Sequence, residues 1–156
     1  MTEPGCAFCR IADGEEEGLH VVFEDETSLA FLDHRPLFPG HCLLVPREHH
    51  ETLADLPLEL LEPFFAAAQL LSRAIPEAMD KPGSFVAMNN VVSQSVPHLH
   101  VHVVPRRRKD GLRGFFWPRR KYESEKHMAE VAETLRATIR NLRTAARAER
   151  GRRVDS

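Results

Sequence analysis

The chain has 156 residues, 42% of them hydrophobic, with 21 Lys and Arg against 23 Asp and Glu for a formal net charge of −2. That is enough apolar material for the core of one globular domain, which excludes intrinsic disorder. No apolar run reaches the roughly 20 residues of a membrane-crossing helix, and Met1 to Gly5 lacks the charged-then-apolar pattern of a secretion signal, so a soluble cytoplasmic protein with no membrane contact is expected.

In chain order, the first feature is Cys6-Ala7-Phe8-Cys9, a spacing shared by zinc ligands, redox pairs and unrelated thiols. With Cys42 there are three cysteines, which cannot all pair, so free thiols or a metal are expected rather than a disulfide framework. Val21 to Phe23, Ser28 to Asp33 and His41 to Val45 read as short strands, separated by Glu24-Asp25-Glu26-Thr27 and by the Pro36, Pro39, Gly40 punctuation. Leu58, Leu61, Phe65, Ala68, Leu71 and Ile75 have helical spacing; Pro57 suits the helix start and Pro63 should bend it by removing a donor. After the Asp80-Lys81-Pro82-Gly83 turn, Ser84 to Asn89 forms a fourth strand and His98 to Val104 a fifth. A second helix spans about Ser124 to Arg147, with Met128, Val131, Leu135, Ile139 and Leu142 on one stripe. One domain over residues 1–148 and a frayed polar tail over 149–156 complete the chain. The order of elements predicts an α+β fold: a five-stranded antiparallel sheet with two main helices.

Charge is segregated despite the near-zero total. Asp13, Glu15, Glu16, Glu17, Glu24, Asp25 and Glu26 face no base, whereas Arg106, Arg107, Arg108, Lys109, Arg113, Arg119, Arg120 and Lys121 have only Asp110 among them. The basic block either attracts phosphates or forms a solvated loop, and nucleic acid is not the expected partner.

Chemistry concentrates in Val96-Pro97-His98-Leu99-His100-Val101-His102-Val103-Val104-Pro105-Arg106. Strict alternation puts His98, His100 and His102 on one face of a strand, spaced by about 6.6 Å, twice the rise per residue. A solvated strand would alternate in the same way. Three imidazoles in a row nevertheless combine a nucleophile, a proton carrier and a metal ligand near neutral pH.

With Gln94 and Ser95 before it, this run resembles the signature of the histidine triad (HIT) superfamily of nucleotide hydrolases and transferases. Cys6-Ala7-Phe8-Cys9, Phe31-Leu32-Asp33, Pro39 to Pro46 and His49 extend the resemblance over most of the chain, and Gly114-Phe115-Phe116-Trp117-Pro118-Arg119 looks like a feature of one bacterial branch. The resemblance implies the HIT-like fold and a homodimer, to which Leu61, Phe64 and Phe65 are candidates for an apolar face. It implies a purine nucleotide as substrate, cleaved at the α-phosphate of a nucleoside phosphoramidate or dinucleoside polyphosphate. His100 would be the transiently nucleotidylated nucleophile, positioned by His98, with His102 and His41 stabilising phosphoryl oxygens and Ser95 assisting the leaving group. Asp33 would accept hydrogen bonds from the ribose, Phe8, Ile11, Phe31 and Leu32 would flank the base, and Asn89, Asn90, Gln94 and Arg106 are candidates for phosphate. The connection Val91-Val92-Ser93 departs from the family pattern in lacking glycine. Members that open with CxxC hold a structural zinc through it, which implies Cys6, Cys9, His49 and His98 as ligands and no catalytic metal. Two other readings stand beside this one: a nucleotide-binding sensor with little turnover, and a hydrolase whose strand histidines hold a catalytic metal.

Overall fold

The computed structural model describes residues 3–16, 18–112 and 120–154, with side chains as far as residue 144. The chain divides into two compact units, 1–111 and 112–156. The first contains a short helix α1 (Ala7–Ala12), strands β1 (Val21–Glu24), β2 (Ser28–Leu32) and β3 (Cys42–Pro46), a 3₁₀ turn at Leu53–Asp55, helix α2 (Leu58–Ala78), and strands β4 (Gly83–Ala87) and β5 (Val101–Arg106). The strands form one sheet in the order β1-β2-β3-β5-β4, with every neighbouring pair antiparallel. The predicted five-stranded antiparallel sheet is therefore present, with α2 and the long helix α3 (Glu125–Val154) of the second unit as the two main helices.

Period-two alternation sorts the central strands into two layers. Ala30, Cys42, Leu44, Val101 and Val103 face α2 and pack with its Phe64, Ala67, Ala68, Leu71 and Ile75, which recur at helical spacing. Leu29, Phe31, Leu43 and Val45 face the other way and pack against Cys6, Phe8 and Cys9 around α1. The site grows on this second face. Phe64, a candidate for a dimer surface or for plain core, is core: it is 1% exposed beneath the sheet, while its neighbour Phe65 is 41% exposed. Helical phase separates adjacent residues by about 100°, so only one of the two can face the core.

The helix does not stop at Ile75. It continues through Pro76 to Ala78, and the carbonyl of Ser72, which Pro76 cannot serve, accepts a hydrogen bond from Ser84 Oγ at 3.2 Å. Strand ends move by a few residues from expectation, the largest shift being at β5, which begins at Val101 rather than His98. Pro97 has no donor, and His98 N–H closes a tight turn onto Val96 O at 2.8 Å, while Leu99 N–H goes to His50 O at 2.6 Å. The ladder with β3 therefore begins only at Val101, opposite Leu44.

In the second unit, α3 reaches Val154, seven residues beyond the predicted end at Arg147. Met128, Leu135 and Leu142 of its stripe are 49%, 57% and 66% exposed. The expected Gly114 to Arg119 feature lies outside the described residues. No helix among the described residues is long and apolar enough to cross a membrane.

Candidate functional site

Although His98 and His100 precede the ladder, alternation persists: Leu99 enters the α2 core, while the imidazoles emerge on the α1 side. All three are not equivalent. The hydrogen-bond partners of each ring fix its proton, because a carbonyl only accepts and a backbone N–H only donates.

His100, 3% exposed, donates from Nδ1 to the His98 carbonyl at 2.7 Å. In the neutral ring Nε2 then keeps a lone pair. His102 lies beside it, ring centroids 5.1 Å apart, and Nδ1 of His102 is 2.9 Å from Nε2 of His41. The backbone N–H of Leu37 donates to Nδ1 of His41 at 3.2 Å. In neutral His41 the proton must then sit on Nε2, which donates to His102 and leaves the His102 proton on Nε2. Burial, opposed only in part by Asp33, pushes His41 below its ordinary range; burial, with His100 and His41 adding, pushes His102 down to about 4. Both rings are neutral near pH 7.

A cavity of about 860 Å³ opens on these residues. Phe8, Ile11, Phe31 and Leu32 supply apolar wall, and Asp33, Ser95, His100 and His102 also line it. Leu43, Val96 and the charged Arg10, Glu16 and Arg35 belong to the lining as well. Sequence reasoning missed them, although Leu43 was findable as the alternate residue to Cys42 and Leu44 on β3. Asp33 Oδ1 accepts from Arg35 N–H at 2.8 Å, and Oδ2 lies 3.7 Å from His41 Nδ1. Asp33, His41 and His102 converge closely enough to suggest a cation site. However, His41 already engages both ring nitrogens, Nδ1 accepting from Leu37 N–H at 3.2 Å and Nε2 lying 2.9 Å from His102 Nδ1, so no His41 lone pair is left for a cation.

Other candidates lie apart from the cavity lining. Gln94 donates to Glu51 O at 2.6 Å and accepts from Val91 N–H at 2.8 Å, Asn90 accepts from Leu53 N–H at 2.9 Å, and Asn89 donates to Ser93 O at 3.1 Å. These amides tie the 89–95 loop together. Arg106 pairs with Asp110 through both carboxylate oxygens.

His98, 0% exposed, turns away from the cavity. Its Nε2 donates to Pro46 O at 2.9 Å, so Nδ1 carries the lone pair, and it lies 3.4 Å from Cys6 Sγ and 3.6 Å from Cys9 Sγ. His49 Nδ1 is 3.3 Å from Cys9 Sγ. The four donor atoms all lie within 4.8 Å of one another. A tetrahedral zinc with ordinary Zn–S and Zn–N bonds separates sulfur from nitrogen by about 3.5 Å, and the three S···N distances given above fall around that value. Burial pushes His98 down to about 4, against the Pro46 carbonyl, so the ring is in the neutral form that binds metals. The donor set fits zinc.

An imidazole with a free lone pair, next to a second that is a donor, above an apolar-walled cavity, is arranged for nucleophilic catalysis by histidine. Comparison with known proteins assigns the class. The HIT domain profile matches residues 15–109, and the chain belongs to the HIT family. An adenylylsulfatase of Arabidopsis thaliana is 34% identical over 109 residues, covering 69% of this chain and 55% of that protein. An adenosine 5'-monophosphoramidase of Saccharomyces cerevisiae is 34% identical over 113 residues, covering 70% of this chain and 68% of that protein. The family thus includes hydrolases. Among solved structures, a zinc-bound histidine triad protein of Mycobacterium smegmatis superposes with a TM-score of 0.65 at 35% identity, covering 90% of this chain and 97% of that one.

Proposed function

We propose that the protein hydrolyses nucleoside phosphoramidates or dinucleoside polyphosphates at the α-phosphorus through a nucleotidyl-histidine intermediate. The observation that carries this reading is His100: its Nδ1 proton is held by the His98 carbonyl at 2.7 Å and the ring lines the cavity, which leaves Nε2 as a nucleophile without prior proton loss.

In the first step Nε2 forms a bond to the α-phosphorus as the bond to the leaving group breaks. The leaving group takes its electron pair and acquires a proton with help from the Ser95 hydroxyl. Charge on the phosphoryl oxygens is met by the Nε2–H of His102, whose direction is set by His41 behind it. In the second step water attacks the same phosphorus and gives up a proton to solvent, the P–N bond breaks, and His100 recovers its lone pair as a nucleoside monophosphate leaves. The base lies between Phe8, Ile11, Phe31 and Leu32, and the ribose hydroxyls donate to Asp33. Asn89, Asn90 and Gln94 serve phosphate recognition by shaping the loop before Ser95. Cys6, Cys9, His49 and His98 would hold zinc, which supplies a fixed covalent tie between the N-terminus and the chain around His98. A homodimer fits the same reading, because Leu58 and Phe65 on α2 and Val86 on the edge strand β4 are 57%, 41% and 44% exposed.

The test is release of AMP from adenosine 5'-phosphoramidate and from diadenosine tetraphosphate, with a denaturing quench and mass spectrometry to catch the adduct. Wild type should turn over at least one of them and carry an adenylyl group that His100→Ala cannot form. Turnover by His100→Ala refutes the nucleophile, and tight AMP binding with no turnover by wild type makes the protein a sensor.

A further inference from the structure

Helix α1 is six residues long, and its N-cap residue Cys6 makes no side-chain capping bond. A helix that short is not stable by its own hydrogen bonds, so its place depends on what its side chains and ends touch. Arg47 Nη1 donates to Ala12 O at 3.1 Å at one end. At the other, the thiols of Cys6 and Cys9 reach His98 and His49. Phe8 lies between those two cysteines, 8% exposed. Its ring meets His98 edge-on at 5.9 Å between centroids, His100 at 5.2 Å and Phe31 at 5.7 Å. One side chain on the helix that bears both thiols therefore touches a metal-ligand histidine, the proposed nucleophile and the wall of the cavity.

We infer that Phe8 couples the two sites, so that zinc at the thiols and a nucleotide in the cavity each raise the affinity for the other. The inference rests on the proposed readings of both ligands. Metal–thiolate bonds would hold α1 against the sheet, and with it the wall that Phe8 and Ile11 form. A nucleotide packed on that wall would in turn hold α1, and the thiols, in the ligating position. Because binding free energies are linked, the factor by which zinc changes nucleotide affinity must equal the factor by which nucleotide changes zinc affinity. Phe8 is a positioning residue in this scheme, and its effect on affinity depends on whether the metal is present. A purely structural role would weaken both metal states alike.

The experiment compares wild type with Phe8→Leu, which keeps an apolar side chain but removes the ring. AMP affinity is measured by calorimetry in zinc-loaded and chelator-stripped full-length protein, and zinc loss to a chelating dye is followed with and without saturating AMP. Wild type should bind AMP about fivefold or more tightly when loaded, and AMP should slow zinc loss. In Phe8→Leu, still carrying zinc, the loaded-to-stripped ratio should fall to within about twofold and AMP should no longer slow zinc loss. The zinc-loss comparison uses only folded, loaded protein, so it decides the matter even if the stripped chain unfolds. AMP affinity independent of zinc in wild type, or a coupling undiminished in Phe8→Leu, overturns the inference alone. Absence of AMP binding in both metal states overturns the nucleotide reading and the coupling with it, and absence of zinc binding does the same to the metal reading.

Discussion

Nε2 of His41 lies 2.9 Å from Nδ1 of His102, and it is the donor of that pair because Leu37 N–H, 3.2 Å from the opposite nitrogen, occupies the lone pair there. A backbone amide on the β2–β3 connection thus decides which nitrogen of a histidine on β5 carries its proton. Replacing His41 with Phe should free the His102 tautomer, lowering kcat about 100-fold with little change in KM. His41→Gln, whose amide can still donate, should recover part of the loss. Equal kcat for the two variants would remove His41 from this role.

Neutrality of the same pair predicts a direction with pH. Burial pushes His102 to about 4 and lowers His41, while an unfolded chain protonates its histidines near 6.5. Between those values the unfolded state binds more protons, so this contribution is complete above about pH 6.5 and is lost as pH falls toward 4. Denaturant titrations at about pH 7 and pH 5 should show wild type losing more stability on acidification than His102→Asn. Parallel losses would contradict the assignment.

Removing the metal should cost stability. Burial raises the Cys9 thiol above its ordinary range, a cost that a divalent cation offsets by binding the thiolate. Purified protein should contain about one zinc per chain, Cys9→Ser should lose it, and either Cys9→Ser or chelation should lower Tm by at least about 5 °C. Stoichiometric zinc retained by Cys9→Ser would move the metal elsewhere.

Much of this architecture is legible in the sequence because the relevant signals are local and periodic. Alternation through Leu43 to Val45 and Val101 to Val104 sets strand faces, and Ala68, Leu71 and Ile75 of the expected helical stripe do lie on the buried side of α2. Leu58 and Phe65 of that stripe, by contrast, are exposed, and Phe64 takes the buried place. Helix α1 escapes such reading because six residues carry too little periodicity and its fold depends on His49 and His98, distant in sequence. The same holds for the division of labour among the triad. His98, His100 and His102 are alike by spacing and differ through Pro46 O, His98 O and Leu37 N–H, which are backbone atoms with no side-chain signature. Motif resemblance supplied those roles; spacing alone does not.

Gly40 immediately precedes His41, with φ +92, and a Cβ there would come within 2.7 Å of Met79 Cγ. Gly40→Ala should therefore combine left-handed strain with a steric conflict, costing about 2 kcal/mol or more. Because the Met79 side chain is flexible, most of the cost should come from the backbone. If it does, Gly40→Ala will lose stability in denaturant titration even in a Met79→Ala background. Full recovery in that background would assign the cost to the clash instead.

The loop ahead of the triad points the other way, toward stabilisation. Val91 and Ser93 hold φ of 68° and 62°, where a β-branched residue such as valine is a marked outlier, and the glycines expected in such a connection are absent. The conformation persists because Gln94 bridges Val91 N–H and Glu51 O, and Asn90 is tied to Leu53. Val91 is 74% exposed, so its side chain gives the fold little buried area in return. A left-handed non-glycine residue costs about 1–2 kcal/mol, and glycine's extra unfolded-state freedom takes back part of that. Val91→Gly should therefore raise stability by about 0.5–1 kcal/mol in denaturant titration. A loss of stability would show that the apolar side chain makes a contribution that its exposure does not reveal.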